Sequence, residues 1–363
     1  MAATDHDVSI MSVKVVSDDW LDTTVSSSLT SKYEFAVKPS DEEVVDSDDS
    51  EYSIPTIDIS LLTSPDLHQR SKILHDLHKA CQEWGYFQLI NHGISETVMK
   101  KMMEACEGFF NMSEEEKKEF QGSRDVLDPI NWGTNFNCNT VGKKFLFWRQ
   151  FLKLYVHPQF NSPYKPLGFS EVAEEYCKRT REICGVLMRA MSEALGLEPN
   201  CLEKATNWDE GCDVLASNYY PTCPDPDQVI GLPPHTDPGL VNLLVQNDVG
   251  GLQFLHKSGK WVQWKAMPNT IIVDLGEQMQ ILTNDLYKSV THRAVVNNKS
   301  TRISIVSAHG PAVNAKVVPI PELLEALGQA PAYPGIPYNE YLQLQRTSHS
   351  FLKPTLDIIR LES

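Results

Sequence analysis

The segment LPPHTDPGL carries a histidine and an aspartate two positions apart, His235 and Asp237. Alternate residues of a strand point to the same face, so this spacing would direct the imidazole and the carboxylate into one space. His292, in the separate strand-like segment SVTHRAVV, is the candidate for a third ligand. Two histidines and one carboxylate on one side of a ferrous ion leave three positions open, which suits O2 and a chelating co-substrate.

The metal site is only one interpretation of these three residues. An isolated H-x-D pair is more often a surface loop feature or a buried histidine with its partner, and the chain holds eleven histidines. A zinc hydrolase would use the same ligands with a bound water and without oxygen. Spacing by itself leaves these alternatives open.

An arginine and a hydroxyl in the segment TRISI strengthen the metal interpretation. Arg302 and Ser304 share one face of a predicted strand, ten and twelve residues after His292. Burying an arginine is costly unless an anion meets it, and its planar guanidinium suits a carboxylate held by two hydrogen bonds. A small keto-diacid could chelate the metal at one end and meet Arg302 at the other. A structural ion pair with an acidic residue is the alternative.

Composition bounds the kind of protein that positions these residues. The chain has 363 residues, a net charge of -16 and 41% hydrophobic residues, enough for a large core. We expect no membrane span, because no apolar run approaches about 18 residues, and no secretory signal at the N-terminus. The eight cysteines are scattered without a C-x-x-C pair, which favours reduced thiols in the cytoplasm. No basic cluster suggests nucleic acid.

The distribution of charge and turns predicts five regions. Residues 1–51 hold thirteen acidic residues against three lysines and are expected to be a flexible, solvated tail. Residues 52–165 mix helices and strands, 166–210 form a long helical region, 211–315 form the catalytic β core, and 316–363 return to helix. Short β-rich runs separated by turns follow Cys212. The predicted fold class is therefore mainly β with flanking α, a sandwich or barrel core wrapped by helices.

Longer segments of the chain carry a family resemblance, which extends from about residue 52 to residue 361. They are IPTIDIS, CQEWGYFQLINHGI, NYYPTCPDPD, GLPPHTDPGLVNLLVQNDVGGLQF, LGEQMQILTNDLYKSVTHR and RISI. Together they resemble the plant 2-oxoglutarate- and Fe(II)-dependent dioxygenases of the isopenicillin N synthase-like superfamily. The resemblance implies a double-stranded β-helix, or jelly roll, as the core.

The resemblance also implies roles for individual residues. The iron ligands would be His235, Asp237 and His292. The 2-oxoglutarate-binding residues would be Arg302, Ser304, Tyr220 and Asn218. The cofactors would be Fe(II), 2-oxoglutarate and O2, with ascorbate as reductant, and no residue is assigned as a general acid or base.

The predicted substrate is a small apolar plant specialised metabolite or hormone, and Phe136, Phe254 and Ala308 are the candidate pocket residues. Hydroxylation is expected, with desaturation or O-demethylation as related outcomes. Two alternatives are an iron-dependent oxidase of the same superfamily that does not use 2-oxoglutarate, and a non-catalytic binding protein on the same fold. We expect a cytoplasmic monomer with no nucleic-acid or membrane partner.

The chain departs from the family pattern beside the predicted iron strand. Asp274 stands where asparagine is usual, Glu277 where aspartate is common, and Asp285 where glycine is common. His309 follows the R-x-S motif where many relatives carry an aromatic residue. Because none of these is a predicted ligand, we expect them to tune the site rather than remove its chemistry.

Overall fold

The structure is a computed structural model that describes residues 42–123, 125–134, 148–227, 229–347 and 355–361. The strands are β1 (Val44–Asp46), β2 (Thr56–Asp58), β3 (Tyr86–Ile90), β4 (Ile130–Gly133), β5 (Gln150–His157), β6 (Gly211–Tyr220), β7 (Leu232–His235), β8 (Val241–Gln246), β9 (Leu252–Leu255), β10 (Trp261–Gln263), β11 (Ile271–Leu275), β12 (His292–Ala294), β13 (Arg302–Ala312), β14 (Lys316–Val317) and β15 (Ile336–Pro337). The α-helices are α1 (Leu67–Glu83), α2 (Glu96–Phe110), α3 (Glu114–Lys118), α4 (Phe169–Ala194), α5 (Cys201–Thr206), α6 (Glu277–Leu282), α7 (Pro321–Leu327), α8 (Tyr338–Thr347) and α9 (Thr355–Ile359).

Two β-sheets form the centre of the molecule. The larger sheet has the order β2-β3-β11-β8-β13-β6-β5-β4, and the smaller has the order β1-β10-β9-β12-β7. A third, two-stranded sheet pairs β14 with β15. A cavity lined by residues of both large sheets lies between them. The predicted fold class, a mainly β core with flanking helices, is confirmed.

Three helices cover the outer face of the larger sheet. Asp66 caps α1 by accepting from two backbone amides, and Ser95 caps α2 in the same way with one. Apolar stripes of these helices and of α4 join the strands in one hydrophobic core, with Leu77, Phe109 and Met188 fully buried. Each such side chain contributes about 1.5–3 kcal/mol by burial. The helices thereby leave the opposite face of the sheet free to form the cavity.

Strand alternation separates core residues from cavity residues. On β13, Ile303 and Ile305 pack in the hydrophobic core, whereas Arg302 and Ser304 line the cavity. The same alternation continues across β6 and β8. This arrangement follows from the two-residue period of a strand, and it places every polar group of the R-x-S motif on the cavity side.

The register of β5, β6 and β13 arranges the cavity-facing side chains in rows. The rows are Arg302 with Tyr220; Ser304 with Asn218; Val306 with Ala216 and Lys153; and Ala308 with Val214 and Tyr155. Successive rows are two residues apart, so they lie about 7 Å from one another along the strands. The cavity therefore changes from strongly polar at the Arg302 row to mostly apolar at the Ala308 row.

The end of the acidic N-terminal segment packs against the smaller sheet. β1 pairs in parallel with β10, with Val44 opposite Trp261. Glu42 accepts a hydrogen bond from Arg293, whose guanidinium lies 3.9 Å from the centroid of the Trp261 ring. The expectation of a free tail through residue 51 is thus wrong for residues 42–51, because a buried arginine recruits this acid. Residues 1–41 lie outside the described part of the chain.

We expect Glu42→Ala to lower the free energy of unfolding by about 2–3 kcal/mol, since it removes a charged hydrogen bond from a buried cation. Arg293 is 1% exposed at its side chain, and Glu42 is 29% exposed. Glu43→Ala is the matched control, because Glu43 is 64% exposed where it pairs with Lys260. That change should cost less than about 1 kcal/mol. Urea unfolding measures both, and equal losses would contradict the assignment.

Candidate metal centre and cavity

The cavity between the two sheets has a volume of about 300 Å³. Residues of β6, β8 and β13 line it on one side, and residues of β7, β9 and β12 line it on the other. β5 and α8 complete the wall through Lys153, Tyr155, Tyr338 and Leu342. A pocket of this size, with a few convergent polar groups in an apolar wall, is typical of a small-molecule site.

The three candidate ligands named from the sequence lie together in this cavity. His235 Nε2 is 3.5 Å from Asp237 Oδ1, and His292 Nε2 is 3.8 Å from Asp237 Oδ2. The two imidazole centroids are 4.2 Å apart, and one donor atom from each residue lies within 4.8 Å of the others. His235 and His292 meet because they are direct partners in the antiparallel pairing of β7 with β12.

Both imidazoles are oriented for coordination through Nε2. Nδ1 of His235 lies 2.8 Å from the carbonyl oxygen of Pro233, and Nδ1 of His292 lies 3.2 Å from that of Val290. A carbonyl oxygen only accepts, so each Nδ1 must carry the proton, which leaves a lone pair on Nε2. Two nitrogens and one carboxylate oxygen at these separations fit a single Fe(II) ion held on one side.

The surroundings keep the ligand atoms available at neutral pH. Burial, followed by repulsion from His292, lowers the pKa of His235 to about 4, which favours the neutral ring. The amide of Asn242 donates to Asp237 Oδ2 at 2.9 Å and to Asp274 Oδ1 at 2.8 Å. Burial, with the charge of Asp237 second, raises the pKa of Asp274 to about 7. The Asn242 amide thus connects Asp274 to the Asp237 carboxylate and holds that carboxylate in place.

Arg302 is a buried cation at the far end of the same cavity. It is 1% exposed, and its guanidinium donates to Gln246 Oε1 at 2.9 Å and to Ser304 Oγ at 3.3 Å. The Tyr220 ring centroid lies 4.8 Å from it. Within the described ranges, no carboxylate lies within 4.0 Å of this guanidinium. Since a buried charge without an ionic partner is costly, the geometry fits an anionic ligand such as the distal carboxylate of 2-oxoglutarate.

Of the other residues predicted for the site, four line the cavity, one lies in the core and one lies outside the described part of the chain. Asn218, Tyr220, Ser304 and Ala308 all line the cavity. Phe254 is fully buried and stacks on Tyr86 with centroids 4.1 Å apart. It lies in the core behind the metal centre, 5.7 Å from the His292 ring, rather than in the cavity wall. Phe136 lies outside the described residues.

Several polar residues of the site were not anticipated. Arg149 lines the cavity and donates to Asn218 Oδ1 at 2.6 Å, so a second guanidinium lies beside the predicted co-substrate residues. Lys153 lines the cavity from β5, which begins just after Arg149, and Gln246 is the acceptor for Arg302. The alternation R-x-F-x-K-x-Y from residue 149 to 155 is the signal that could have placed both cations on one strand face.

Glu277 links the segment of residues 235–237 to the C-terminal helix α8. Its carboxylate accepts from the hydroxyls of Thr236 and Tyr341, each at 2.8 Å, and from the Gln345 amide at 3.3 Å. The side chain is buried, and this burial raises its pKa to about 7. Because Thr236 stands between the two residues of the H-x-D pair, Glu277 holds that segment and α8 together at the cavity.

We expect Glu277→Ala to lower the free energy of unfolding by about 2–3 kcal/mol, because it leaves two hydroxyls and an amide without their acceptor. Tyr341→Phe removes only one of these bonds and should cost about 1 kcal/mol. Urea unfolding of both variants beside the parent protein gives the comparison. Unfolding midpoints identical to that of the parent would contradict the proposed link.

A jelly-roll core around a His-Asp-His centre is the architecture of a non-haem iron oxygenase. Residues 211–311 match the 2OG-Fe(II) oxygenase superfamily, and residues 54–173 match the family described as non-haem dioxygenase in morphine synthesis N-terminal. Among curated relatives, 2-oxoglutarate-dependent dioxygenase 19 of Oryza sativa subsp. japonica is 39% identical over 85% of this chain and 90% of its own. Protein DMR6-LIKE OXYGENASE 2 of Arabidopsis thaliana is 39% identical over 84% of this chain and 86% of its own.

Solved structures agree with these matches. The crystal structure of JOX2 in complex with 2OG, Fe and JA has a TM-score of 0.78 and 29% identity, and the match covers 90% of this chain and 93% of that one. The crystal structure of dioxygenase for auxin oxidation (DAO) in rice shares the fold, with a TM-score of 0.70, 19% identity, and coverage of 85% and 100%. The chain belongs to the 2OG-Fe(II) oxygenase superfamily and is a 2-oxoglutarate-dependent dioxygenase, an oxidoreductase that uses Fe(II), 2-oxoglutarate and O2.

One further property concerns membranes. Across the described ranges, every helix is too short or too polar to span a bilayer.

Proposed function

We propose that the cavity binds Fe(II) through His235, Asp237 and His292 and binds the distal carboxylate of 2-oxoglutarate through Arg302 and Ser304. The observation that carries this proposal is the buried guanidinium of Arg302, which lies in the same cavity as the triad and whose partners among the described residues are neutral. The hydroxyl of Ser304 is within reach of the same carboxylate. The keto-acid end would then point along the cavity towards the two histidines.

Asn218 and Tyr220 complete the co-substrate end. Each is the direct register partner of a residue of the R-x-S motif, so both side chains face the same part of the cavity. The Tyr220 ring lies against the Arg302 guanidinium and limits its movement. The Asn218 amide oxygen is engaged by Arg149, which leaves the amide nitrogen to donate to the co-substrate.

The protein's own share in the reaction is positioning. Fe(II) bound with 2-oxoglutarate and O2 supplies oxidative decarboxylation to succinate and CO2, coupled to oxidation of a substrate C–H bond. The backbone carbonyls of Pro233 and Val290 keep both ligand imidazoles in the tautomer that exposes Nε2. Arg302 fixes the co-substrate, and the apolar rows beyond Ser304 exclude water from the substrate. No side chain is assigned as a general acid or base.

The substrate we propose is a small plant metabolite or hormone with an apolar body, and hydroxylation is the proposed outcome. The apolar part of the cavity wall is built from Val214, Ala216, Leu244, Val306 and Ala308. Such a wall fits a ring or short alkyl chain better than a sugar. We further propose that the protein acts as a cytoplasmic monomer with ascorbate as reductant; the free thiols of its described cysteines suit a reducing compartment.

The test is incubation of the purified protein with Fe(II), 2-oxoglutarate, ascorbate and fractionated plant metabolites, followed by measurement of succinate and of products heavier by one oxygen. We expect succinate that depends on one fraction and on O2. Product without succinate would instead indicate an oxidase that does not use 2-oxoglutarate. Turnover without O2 would indicate a zinc-type hydrolase. Either result would contradict the proposed function.

A further inference from the structure

A lysine on β5 faces the substrate part of the cavity. Lys153 lines the cavity, and its row in the sheet also contains Ala216 and Val306. Lys153 is therefore part of the cavity wall, although its side chain is only partly exposed.

The charge of Lys153 is weakly compensated. Its Nζ donates to the carbonyl oxygen of Val126 at 3.3 Å and lies 5.0 Å from the centroid of the Tyr155 ring. In the part of the chain that the structure describes, no carboxylate comes within 4.0 Å of this nitrogen. Asp128 acts on it only at longer range, and its two oxygens already accept from Ser123 and from the amide of Asp125.

Electrostatics around this lysine favour an added anion. Burial, which is the largest effect, lowers the pKa of Lys153, and the positive charge of Arg346 at the end of α8 acts in the same direction. An ammonium group without an ionic partner, in a partly desolvated wall, gains more from a carboxylate than an exposed lysine does. The structure thus contains a further cationic position in the cavity besides Arg302 and Arg149.

Lys153 and Arg302 lie on different strands and in different rows of the larger sheet, with β6 between β5 and β13. The row of Arg302 and Tyr220 is separated from the row of Val306 and Lys153 by the row of Ser304. Four residues of strand separate Arg302 from Val306, which corresponds to about 13 Å. The distal carboxylate of the co-substrate is assigned to the Arg302 row, and an anion at the Lys153 row is assigned to the substrate.

We propose that Lys153 binds a carboxylate of the substrate, so that the enzyme takes a small carboxylic acid with an apolar body. The inference rests on the proposed function, because it assigns the Arg302 end of the cavity to 2-oxoglutarate. The apolar body lies against Ala216, Val306 and Ala308, between the carboxylate and the metal centre. Lys153 thereby sets which carbon faces the iron.

The experiment measures binding to the anaerobic protein loaded with Fe(II) and 2-oxoglutarate, so that no turnover occurs. The probes are monocarboxylic acids with one aromatic or alicyclic ring, each beside its methyl ester, titrated by calorimetry. We expect acids to bind at least about tenfold more tightly than their esters, as a charge-assisted hydrogen bond implies. Lys153→Met should abolish the difference, and Lys153→Arg should retain it.

Lys101→Met is the matched control, because Lys101 is exposed on α2 and its loss removes the same charge away from the cavity. That variant should keep the preference for acids. The inference is overturned if the parent protein binds no acid more tightly than its ester, or if a folded Lys153→Met protein keeps the preference. If Lys153→Met does not fold, the parent protein and Lys153→Arg decide the matter.

The visible absorption of the loaded protein separates failure of this inference from failure of the proposed function. A protein that forms the Fe(II)-2-oxoglutarate band and shows no acid preference contradicts only the role of Lys153. A protein that forms no band contradicts the proposed function and the inference together.

Discussion

Arg302→Met raises the KM for 2-oxoglutarate by at least about 100-fold, because it removes two charge-assisted hydrogen bonds to one carboxylate. Methionine keeps most of the length of the side chain, so the buried position stays filled. The triad does not contact Arg302, and affinity for Fe(II) should be unchanged. Arg302→Lys keeps the charge but not the planar fork, and its effect should fall between those of the parent and Arg302→Met. Succinate formation at varied 2-oxoglutarate gives these values.

The control for this prediction is Arg179→Ala, since Arg179 is 51% exposed where it pairs with Glu182 on α4. It should leave the KM for 2-oxoglutarate at the parent value. A KM for 2-oxoglutarate that is the same in Arg302→Met as in the parent would show that the co-substrate binds elsewhere. Arg149, beside Asn218, would then be the next candidate for its carboxylate.

Loss of a metal ligand should have an effect of similar size. Asp237→Ala should weaken Fe(II) binding by more than about 100-fold, because changes to the partners of ligands alone reach that size. Alanine at His235 or His292 should act similarly. Asn242→Ala should weaken binding by about 10–100-fold, since Asn242 orients the Asp237 carboxylate without touching the metal. Anaerobic equilibrium dialysis with Fe(II), followed by metal analysis, measures all four variants.

His68→Ala serves as the control, because His68 is exposed at the start of α1 and far from the cavity residues in sequence. It should bind Fe(II) like the parent protein. Retention of parental Fe(II) affinity by both histidine variants would show that the triad is not the metal site. We therefore expect Fe(II) affinity to be lowest in the triad variants, intermediate in Asn242→Ala and unchanged in His68→Ala.

The β core was predictable from sequence because its strands are short, apolar on one face and bounded by turns. The H-x-D spacing placed His235 and Asp237 together, and the R-x-S spacing placed Arg302 and Ser304 on one face. The pairing of His235 with His292, by contrast, depends on β7 lying beside β12, which are separated by more than fifty residues. Local pattern alone does not specify such a non-local register.

The features that the sequence did not predict have physical explanations. Arg149 and Lys153 were not predicted as cavity residues, because they interrupt an apolar, aromatic run, although both line the cavity. The strand Val44–Asp46 lies in an acidic segment whose composition favours disorder, but Arg293 provides a buried partner for Glu42. Phe254 was expected in the pocket and packs behind His292 instead, because its strand turns that face towards Tyr86.

The proposed function requires one cavity to hold Fe(II) at the triad and 2-oxoglutarate between the metal and Arg302. The decisive experiment is anaerobic addition of 2-oxoglutarate to the Fe(II)-loaded protein, followed through the weak visible charge-transfer band of the chelate. We expect a band that saturates at one equivalent, is absent in His235→Ala, and needs far more 2-oxoglutarate in Arg302→Met. An Fe(II)-loaded parent protein without the band, or an unchanged band in both variants, would contradict this arrangement.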